Sequence, residues 1–458
     1  MGNINRAALT EGPVGRTLFR LTVPMLIGIA GMVAFNLTDT IFIGRFGTLE
    51  LAALSFTFPV VLVFNRLALG IGDGASALIS QAIGRGDERA VRRYTTDSLT
   101  LALAISAVFI TAGYLTIGQL FRAIGADQRI LPLVRSYMTV WYLGMIFVNV
   151  PMVGNNAIRA TGDTKTPALI MLAAVTVNIV LDPLLIFGIG PFPRLGLRGA
   201  AIATVIARST SMMISLYVLC LRDRMVTCAA VPFRDLLRSW GRVLYIGVPS
   251  AATKIIVPIG IGVITGIVSS FGAEAVAGFG VSSRIEFFAM ASVMALATVL
   301  GPFVGQNWGA GRQERMERGV RHSSLFALVW GLGMWILLAT AARPIASLFT
   351  RDESVIAASM AYLRIVPAAY CLQGVFILST STLNVLHRPL HAAALGIGQT
   401  FAICIPLAYA GSRIFALNGA FFAIVISYIL AGIISYWILN KILVRERGMD
   451  HTGDQSNS

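Results

Sequence analysis

Long apolar runs alternate with short polar segments along the whole chain. The runs lie near residues 17–43, 50–80, 92–117, 131–155, 166–189, 199–221, 241–268, 275–304, 320–342, 356–382, 392–412 and 416–440. A helix of about 20 residues, rising about 1.5 Å per residue, is long enough to cross the hydrocarbon core of a bilayer. The pattern therefore predicts an all-α polytopic membrane protein with twelve transmembrane helices.

The two halves of the chain repeat the same features at a constant separation. Pro24 and Pro249 are 225 positions apart, and so are Gln81 and Gln306, and Asp127 and Asp352. A constant separation over so long a span indicates a duplication. Six helices per half is an even number, so the halves share one orientation and are related by a pseudo-two-fold axis along the membrane normal. The predicted domains are an N-terminal lobe (1–221), a linker (222–241), a C-terminal lobe (242–440) and a polar cytoplasmic tail (441–458).

Composition and charge agree with a membrane protein. The chain has 56% hydrophobic and 12% charged residues, whereas soluble domains have about 25% charged residues. The net charge of +15 does not indicate nucleic-acid binding, because the arginines are spread over short loops without interleaved aromatic residues. Most basic residues, such as Arg89 and Arg93, fall in segments on one side, so the positive-inside rule predicts a multi-pass plasma (inner) membrane protein with both termini cytoplasmic. The four cysteines and four histidines have no metal-ligand spacing, and no cofactor or metal site is predicted.

Two acids lie in the apolar runs of the first half. Asp39 is towards the far end of the first run, and Asp182 lies deep in the fifth, four residues after Asn178 and on the same helix face. A carboxylate at the centre of a spanning helix costs roughly 2.5–3.5 kcal/mol, so such acids usually face a cavity or an ion path. Asp39 could instead be hydrated at the interface. At a separation of 225 positions both acids lack an acidic counterpart, so a site formed by them would be asymmetric.

Pro183 directly follows Asp182 and has no N–H, so it leaves the carbonyl of Ile179 without its helical donor. That carbonyl, the Asn178 amide oxygen and two carboxylates would form an oxygen cage suited to a proton or to a hard monovalent cation. The alternative for Pro183 is a packing kink, which membrane helices tolerate.

Other charged residues lie in or beside apolar runs and are predicted to have structural roles. They are Arg66, Arg208, Lys254, Arg284, Glu286 and Arg364. Lys254 follows Pro249 and could face the cavity as a tethered cation, and the roles of Lys254 and Arg284 stay open. Arg284 and Glu286 are two positions apart and lie on different faces of a helix.

The chain resembles the multidrug and toxic compound extrusion (MATE) family, in its DinF-like branch, along nearly its whole length. The resemblance is carried by Thr22-Val23-Pro24, Asp39-Thr40, Arg159-Ala160-Thr161-Gly162-Asp163, Asn178-Ile179-Val180-Leu181-Asp182-Pro183 and the stretch from Gly301 to Ala310. It implies two six-helix lobes in a V around a central cleft. It also implies export of organic compounds driven by inward flow of protons or sodium ions.

The resemblance further implies which residues form the sites. The cation site of that branch matches Asp39, Asn178, Asp182 and Thr204, and bending of the first helix at a proline matches Pro24. The predicted hinges are Pro24 and Pro183. Another branch carries acids in helices seven and ten, but residues 254–257 and 373–374 contain none, so a cation site in the C-terminal lobe is not expected. Polar residues on apolar helices, with the family pattern, predict a substrate cleft that includes Asn36, Tyr137, Asn155 and Asn156.

The predicted function is secondary active antiport by a monomer in the bilayer. Small organic compounds, expected to be cationic, would leave by alternating access in exchange for protons, with sodium ions as the alternative coupling ion. A lipid or lipid-linked saccharide flippase is the alternative interpretation; it would need a cationic cavity, for which Lys254 and Arg284 are the candidates. A membrane enzyme is not expected, because the sequence shows no paired nucleophile and base and no metal cluster.

Overall fold

The computed structural model describes residues 8–46, 48–227, 229 and 231–454, with side chains described except at residues 8, 34–41, 43–46, 48, 51 and 446–454. Helices make up most of this part of the chain. They are α1 (Val14–Phe46), α2 (Thr48–Gly84), α3 (Glu88–Ala123), α4 (Leu131–Leu143), α5 (Met145–Ala160), α6 (Lys165–Phe187), α7 (Leu197–Tyr217), α8 (Phe233–Ser269), α9 (Ala273–Gly309), α10 (Gln313–Thr340), α11 (Ala342–Ser347), α12 (Glu353–Ile365), α13 (Tyr370–Val385), α14 (Pro389–Ile397) and α15 (Ile405–Asp454). The described residues form no β-strand, so the predicted all-α class is confirmed.

The number of membrane-crossing segments depends on the bend between α4 and α5 and on an interruption within α15. Ten helical segments of the described chain are long and apolar enough to span a bilayer, and α4 with α5, bent by 45°, gives an eleventh. The last of the ten, Pro389–Arg445, is interrupted at Phe415 and Ala416, whose backbone angles are not helical. This interruption separates the predicted runs 392–412 and 416–440, and the division recovers all twelve predicted segments.

Two glycines explain how the chain turns at that interruption. A Cβ on Gly419 would lie 1.9 Å from the carbonyl oxygen of Gly411, a distance that no side chain could accept. Because both residues lack a Cβ, the two arms of α15 approach closely on either side of Ala416, which takes a positive φ of 49°. An apolar run that is nearly continuous in sequence is thereby divided into two helical arms.

The described contacts group the chain into two compact units. Among the described residues, unit 1 contains residue 8 and residues 23–251, and unit 2 contains residues 9–22 and 252–454. The change of unit occurs beside Pro24 in α1 and beside Pro249 in α8, which are equivalent positions of the repeat. Residues 9–22 thus group with the second half and residues 242–251 with the first. The predicted domain boundaries follow chain order and stay a prediction.

The duplication is visible in helix ends and in local geometry. α2 ends at Gly84 and α9 at Gly309, and α3 begins at Glu88 and α10 at Gln313, each pair 225 positions apart. The loops between these helices contain Gly86 with φ 73° and Gly311 with φ 67°, a left-handed conformation that favours glycine. The same offset relates Asp127, which accepts from the N–H groups of residues two and three positions further on, to Asp352, which does the same.

Unit 1 has an aromatic core that fixes α2, α3 and α4. The ring centroid of Phe64 on α2 lies 4.6 Å from that of Phe109 on α3 and 5.8 Å from that of Trp141 on α4. Tyr142 is fully buried against Gly113, where a Cβ would lie 2.6 Å from the tyrosine ring. Interlocked rings of this kind resist displacement and hold α2, α3 and α4 in fixed positions relative to one another.

Candidate functional site

The predicted acid of α6 lies in the interior of unit 1 together with its predicted partner. Asp182 and Asn178 each have 0% exposure. Asn178 Nδ2 donates to Asp182 Oδ1 at 3.1 Å, as the spacing of four residues on one helix face predicts. An ionisable side chain buried in an apolar helix is costly unless it has a partner, and this amide supplies one.

The other polar atom of Asn178 gives this pair capacity for a ligand. Asn178 Oδ1 is buried and receives no hydrogen bond from the side chains and backbone that the structure describes. Buried acceptors are almost always satisfied, so an orphaned one calls for an explanation. An amide oxygen beside a carboxylate can accept a proton donor or ligate a hard cation.

The backbone of α1 runs alongside α6 at this level. A Cβ at Gly31 would lie 2.8 Å from Leu172 Cδ2, and the ring of Phe42 lies 6.3 Å from that of Phe187. Asp39 lies between Gly31 and Phe42 on α1, and Asp182 lies between Leu172 and Phe187 on α6. The segment carrying Asp39 therefore passes the segment carrying Asp182, while the Asp39 side chain, like that of Asn36, is outside the described residues.

The helix α7 packs against α6, the helix that carries the pair. It packs against α6 so closely that a Cβ on Gly199 would lie 2.3 Å from the carbonyl oxygen of Leu185. Thr204, the fourth residue that the resemblance implies, is half-buried on α7. Pro183 lies inside α6, which continues to Phe187. Its predicted hinge role, like that of the half-buried Pro24, stays a prediction.

The predicted cleft residues with described side chains are all buried. Tyr137 belongs to the aromatic core of unit 1, and Asn155 and Asn156 are 8% and 5% exposed on α5. Asn156 Nδ2 donates to the carbonyl of Met152 at 2.9 Å, and its Oδ1 accepts from Arg159 at 2.7 Å. Asn156 is thus engaged within its own helix, and the substrate role of these residues stays a prediction.

Two acids in the helical interior were missed or undervalued from sequence. Asp73 on α2 accepts from Ser250 Oγ on α8, within unit 1. In unit 2, Glu286 on α9 accepts from Tyr362 Oη, and its Oε1 accepts from Gln373 Nε2 at 2.9 Å. The signal for Asp73 was an acid between two glycines of an apolar run, Gly72 and Gly74. Gln373 lies in the stretch 373–374, which contains no acid in the sequence. In the structure its side chain contacts the carboxylate of Glu286, which belongs to another helix.

Comparisons with known proteins cover nearly the whole chain. The MatE family model matches residues 24–184 and 249–410, two segments that begin at the equivalent prolines. The chain is 38% identical over 438 residues to a FAD transporter of Shewanella oneidensis, covering 96% of this chain and 97% of that protein. It is 25% identical to the multidrug export protein MepA of Staphylococcus aureus, covering 95% of each. A crystal structure of the Vibrio cholerae MATE transporter VcmN in the bent form superposes with a TM-score of 0.88 at 28% identity, covering 94% of this chain and 98% of that one.

These matches extend over both halves and agree with the all-helical, multi-pass architecture and with the duplication at 225 positions. The chain is therefore a transporter, not an enzyme, and it belongs to the MatE family of multidrug and toxic compound extrusion (MATE) proteins.

Proposed function

We propose that this protein exports an organic solute in exchange for an inward-moving cation, and that Asp182 with Asn178 binds the cation. The observation that carries the proposal is a carboxylate with 0% exposure that contacts an amide whose Oδ1 accepts no hydrogen bond from the described residues. Thr204 and the carboxylate of Asp39 complete the proposed site, since α7 packs on α6 and the Asp39 segment passes Asp182.

Coupling follows from the charge of this site. With Asp182 ionised, the site attracts a cation, and with the cation bound it is neutral. The two states therefore favour different packing of α1, α6 and α7, with Pro24 and Pro183 as proposed hinges. A cation shifts the equilibrium only by its difference in affinity for the two states. One charge moving inward supplies about 2.3 kcal/mol per 100 mV.

The proposed coupling ion is the proton. Protonation of Asp182 would remove a buried negative charge without a full ligand shell, whereas Na⁺ needs several oxygen ligands. Asn178 Oδ1 and Thr204 could supply two of them, so sodium stays the alternative.

The proposed substrate is a flavin dinucleotide. The relative that carries this name is 38% identical over nearly the whole of both chains, whereas MepA is 25% identical. A dinucleotide has a negatively charged pyrophosphate, and helices α2, α5 and α7 of unit 1 carry the basic residues Arg66, Arg159 and Arg208. Guanidinium groups bind phosphate through paired N–H donors. Organic cations, the substrates expected from the sequence, are the second candidate, which the likeness to MepA favours.

Orientation is also part of the proposal. We place both termini in the cytoplasm, because the arginine-rich α2–α3 and α9–α10 loops then both lie inside.

Transport by purified protein in liposomes tests these proposals. The vesicles are loaded with flavin adenine dinucleotide or with ethidium, and an inward proton gradient or sodium gradient is imposed. We expect proton-driven efflux of the dinucleotide, lost in Asp182→Asn and Asp39→Asn but kept in Glu314→Gln, an exposed acid at the start of α10. Efflux of ethidium alone would assign the second substrate class. Full gradient-driven efflux by Asp182→Asn would refute the site.

A further inference from the structure

A cavity of about 310 Å³ lies at one end of unit 1, where α3 and α8 begin. Its lining comes from the first turns of the two helices and the residue before α3. The lining residues include the basic Arg89, Arg93, Arg238 and Arg242, the acids Asp87 and Asp235, and Tyr94. Four guanidinium groups against two carboxylates leave the cavity positively charged.

The acids compensate the arginines only in part. Asp235 is shared by Arg93 and Arg238, at 3.9 Å from each. Arg242 Nη1 donates to Tyr94 Oη at 2.8 Å, a neutral partner. Arg89 and Arg242 form no ion pair with any residue that the structure describes. Two guanidinium charges therefore face the cavity without a countercharge.

The duplication provides an internal comparison in unit 2. There the start of α10 corresponds to the start of α3. Its arginines Arg312 and Arg315 donate hydrogen bonds to backbone carbonyls of the same chain. Arg315 Nε donates to the carbonyl of Leu9 at 3.1 Å, and its terminal nitrogens donate to the carbonyls of Glu11 and Gly12. Arg312 donates to the carbonyl of Thr10. Backbone oxygens of residues 9–12 thus act as the acceptors of this basic cluster.

The equivalent positions in unit 1 cannot make these contacts. Counting back 225 positions, Ala90 stands where unit 2 has Arg315, and Asp87 stands where it has Arg312. Asp87 accepts from the backbone N–H of Ala90 at 2.9 Å and caps α3, so its carboxylate is committed locally. The Ala90 methyl reaches no carbonyl. The space that Arg315 fills in unit 2 is consequently open, and no described backbone carbonyl accepts a hydrogen bond from the arginines that line the cavity.

We propose that this cavity binds the phosphate of an anionic phospholipid headgroup. Arginine forks match the paired oxygens of a phosphate. At 36 residues, α3 is about 54 Å long against a hydrocarbon core of about 30 Å, and its charged residues are concentrated in the stretch from Glu88 to Arg93, so its start lies at headgroup depth. Beside the cavity, α8 exposes Phe233 (69%) and Leu237 (47%), which suit acyl chains rather than a soluble ligand. Basic pockets at the cytoplasmic ends of membrane helices bind such headgroups.

Native mass spectrometry of the full chain released from nanodiscs tests this site. The nanodiscs contain phosphatidylcholine alone or an equal mixture with phosphatidylglycerol, and retained lipid is counted. The double variant Arg89→Gln with Arg242→Gln should lose retained phosphatidylglycerol by about tenfold, as expected for removal of charge-assisted hydrogen bonds. The matched control, Arg318→Gln with Arg321→Gln, removes equal charge from exposed positions of α10 and should retain it.

A variant that adds charge separates a built site from general attraction. Ala90→Arg should copy Arg315, direct its guanidinium to the start of α8 and fill the cavity, so it should lower lipid retention although it raises the positive charge. Greater retention by Ala90→Arg, or equal losses in the two double variants, would overturn the proposal.

A titration with a soluble anion distinguishes binding of a lipid phosphate from binding of a free phosphate. Inorganic pyrophosphate is titrated into protein in phosphatidylcholine nanodiscs, with binding measured by calorimetry. We expect no binding that depends on Arg89. Pyrophosphate binding that is lost with Arg89 and Arg242, without any retained phosphatidylglycerol, would overturn the assignment to lipid. Gel filtration of every variant establishes that it is folded.

Discussion

The buried carboxylate of Asp182 and the half-buried carboxylate of Glu286 have different surroundings, and the difference predicts different roles. In unit 2, both oxygens of Glu286 accept hydrogen bonds, from Tyr362 and Gln373, which lie 76 and 87 positions away in the chain, although Gln373 Oε1 itself has no partner among the described residues. In unit 1, the amide that contacts Asp182 keeps an unused oxygen among the described residues. Hydrogen bonds that join α9 to α12 and α13 stiffen a core, whereas the contact of Asn178 with Asp182 lies within α6 alone. We therefore expect Glu286 to stabilise unit 2 and Asp182 to handle the cation.

Glu286→Gln should keep gradient-driven transport and lower stability. The amide oxygen of glutamine can still accept from Gln373, and its NH₂ group can donate to the hydroxyl oxygen of Tyr362, but the hydrogen bonds to a charged carboxylate are lost, so the loss should be about 1–2 kcal/mol. Thermal unfolding in detergent measures the loss, and the liposome assay measures transport. Tyr362→Phe is the matched control, because it removes one donor and leaves the carboxylate. Loss of coupling in Glu286→Gln with an intact fold would show that unit 2 also takes part in cation exchange.

The close helix contacts near the site depend on glycines, which have no side chain. Gly199 lets α7 approach the backbone of α6 at Leu185, three residues after Asp182. Gly28 likewise lets α1 pass α6, with a Cβ position 3.4 Å from the Ala168 backbone. Backbone atoms cannot move aside as a flexible side chain can, so these glycines set the distance between the helices that surround the predicted cation site.

Gly199→Ala should therefore destabilise the protein and impair transport. The added methyl would lie 2.3 Å from the carbonyl oxygen of Leu185, and separating the two helices should cost about 1–3 kcal/mol. Gly241→Ala is the control, because the space around that helical glycine is open and alanine favours a helix by about 0.5–1 kcal/mol. Unfolding midpoints of the two variants measure the contrast. A Gly199→Ala protein as stable as the wild type would mean that α6 and α7 can separate freely.

Sequence patterns predicted the helices and the contacts between residues close in the chain, but they missed contacts between residues far apart in the chain. The Asp182–Asn178 contact follows from a spacing of four residues, and the helices follow from apolar runs. The pairing of Asp73 with Ser250 joins positions 177 apart, and that of Glu286 with Gln373 joins positions 87 apart, so no local pattern carries them. The grouping of residues 9–22 with unit 2 likewise depends on contacts such as that of Leu9 with Arg315.

At the scale of the whole molecule, the duplication separates shared scaffold from acquired chemistry. The caps at Asp127 and Asp352 and the turns at Gly86 and Gly311 have the same geometry in both units. By contrast, Asp39 has Ile264 as its counterpart, and Ala90 has Arg315. Equivalent positions that differ in charge mark where one half has a property that the other lacks. The proposed cation site and the proposed lipid cavity are both such places.

The parallel repeats also make orientation testable with two cysteines. In a variant whose native cysteines are replaced by serine, Glu88→Cys lies at the start of α3, next to the arginine-rich loop predicted to be inside, and Arg129→Cys lies in a loop predicted to be outside; both positions are exposed. A membrane-impermeant maleimide should label Arg129→Cys in intact cells and Glu88→Cys only after permeabilisation. The reverse pattern would place the termini outside. The outcome matters for coupling, because α1 runs from Val14 to Phe46. If the termini are cytoplasmic, Asp39 near the far end of α1 is closer to the outer face, from which a driving cation arrives.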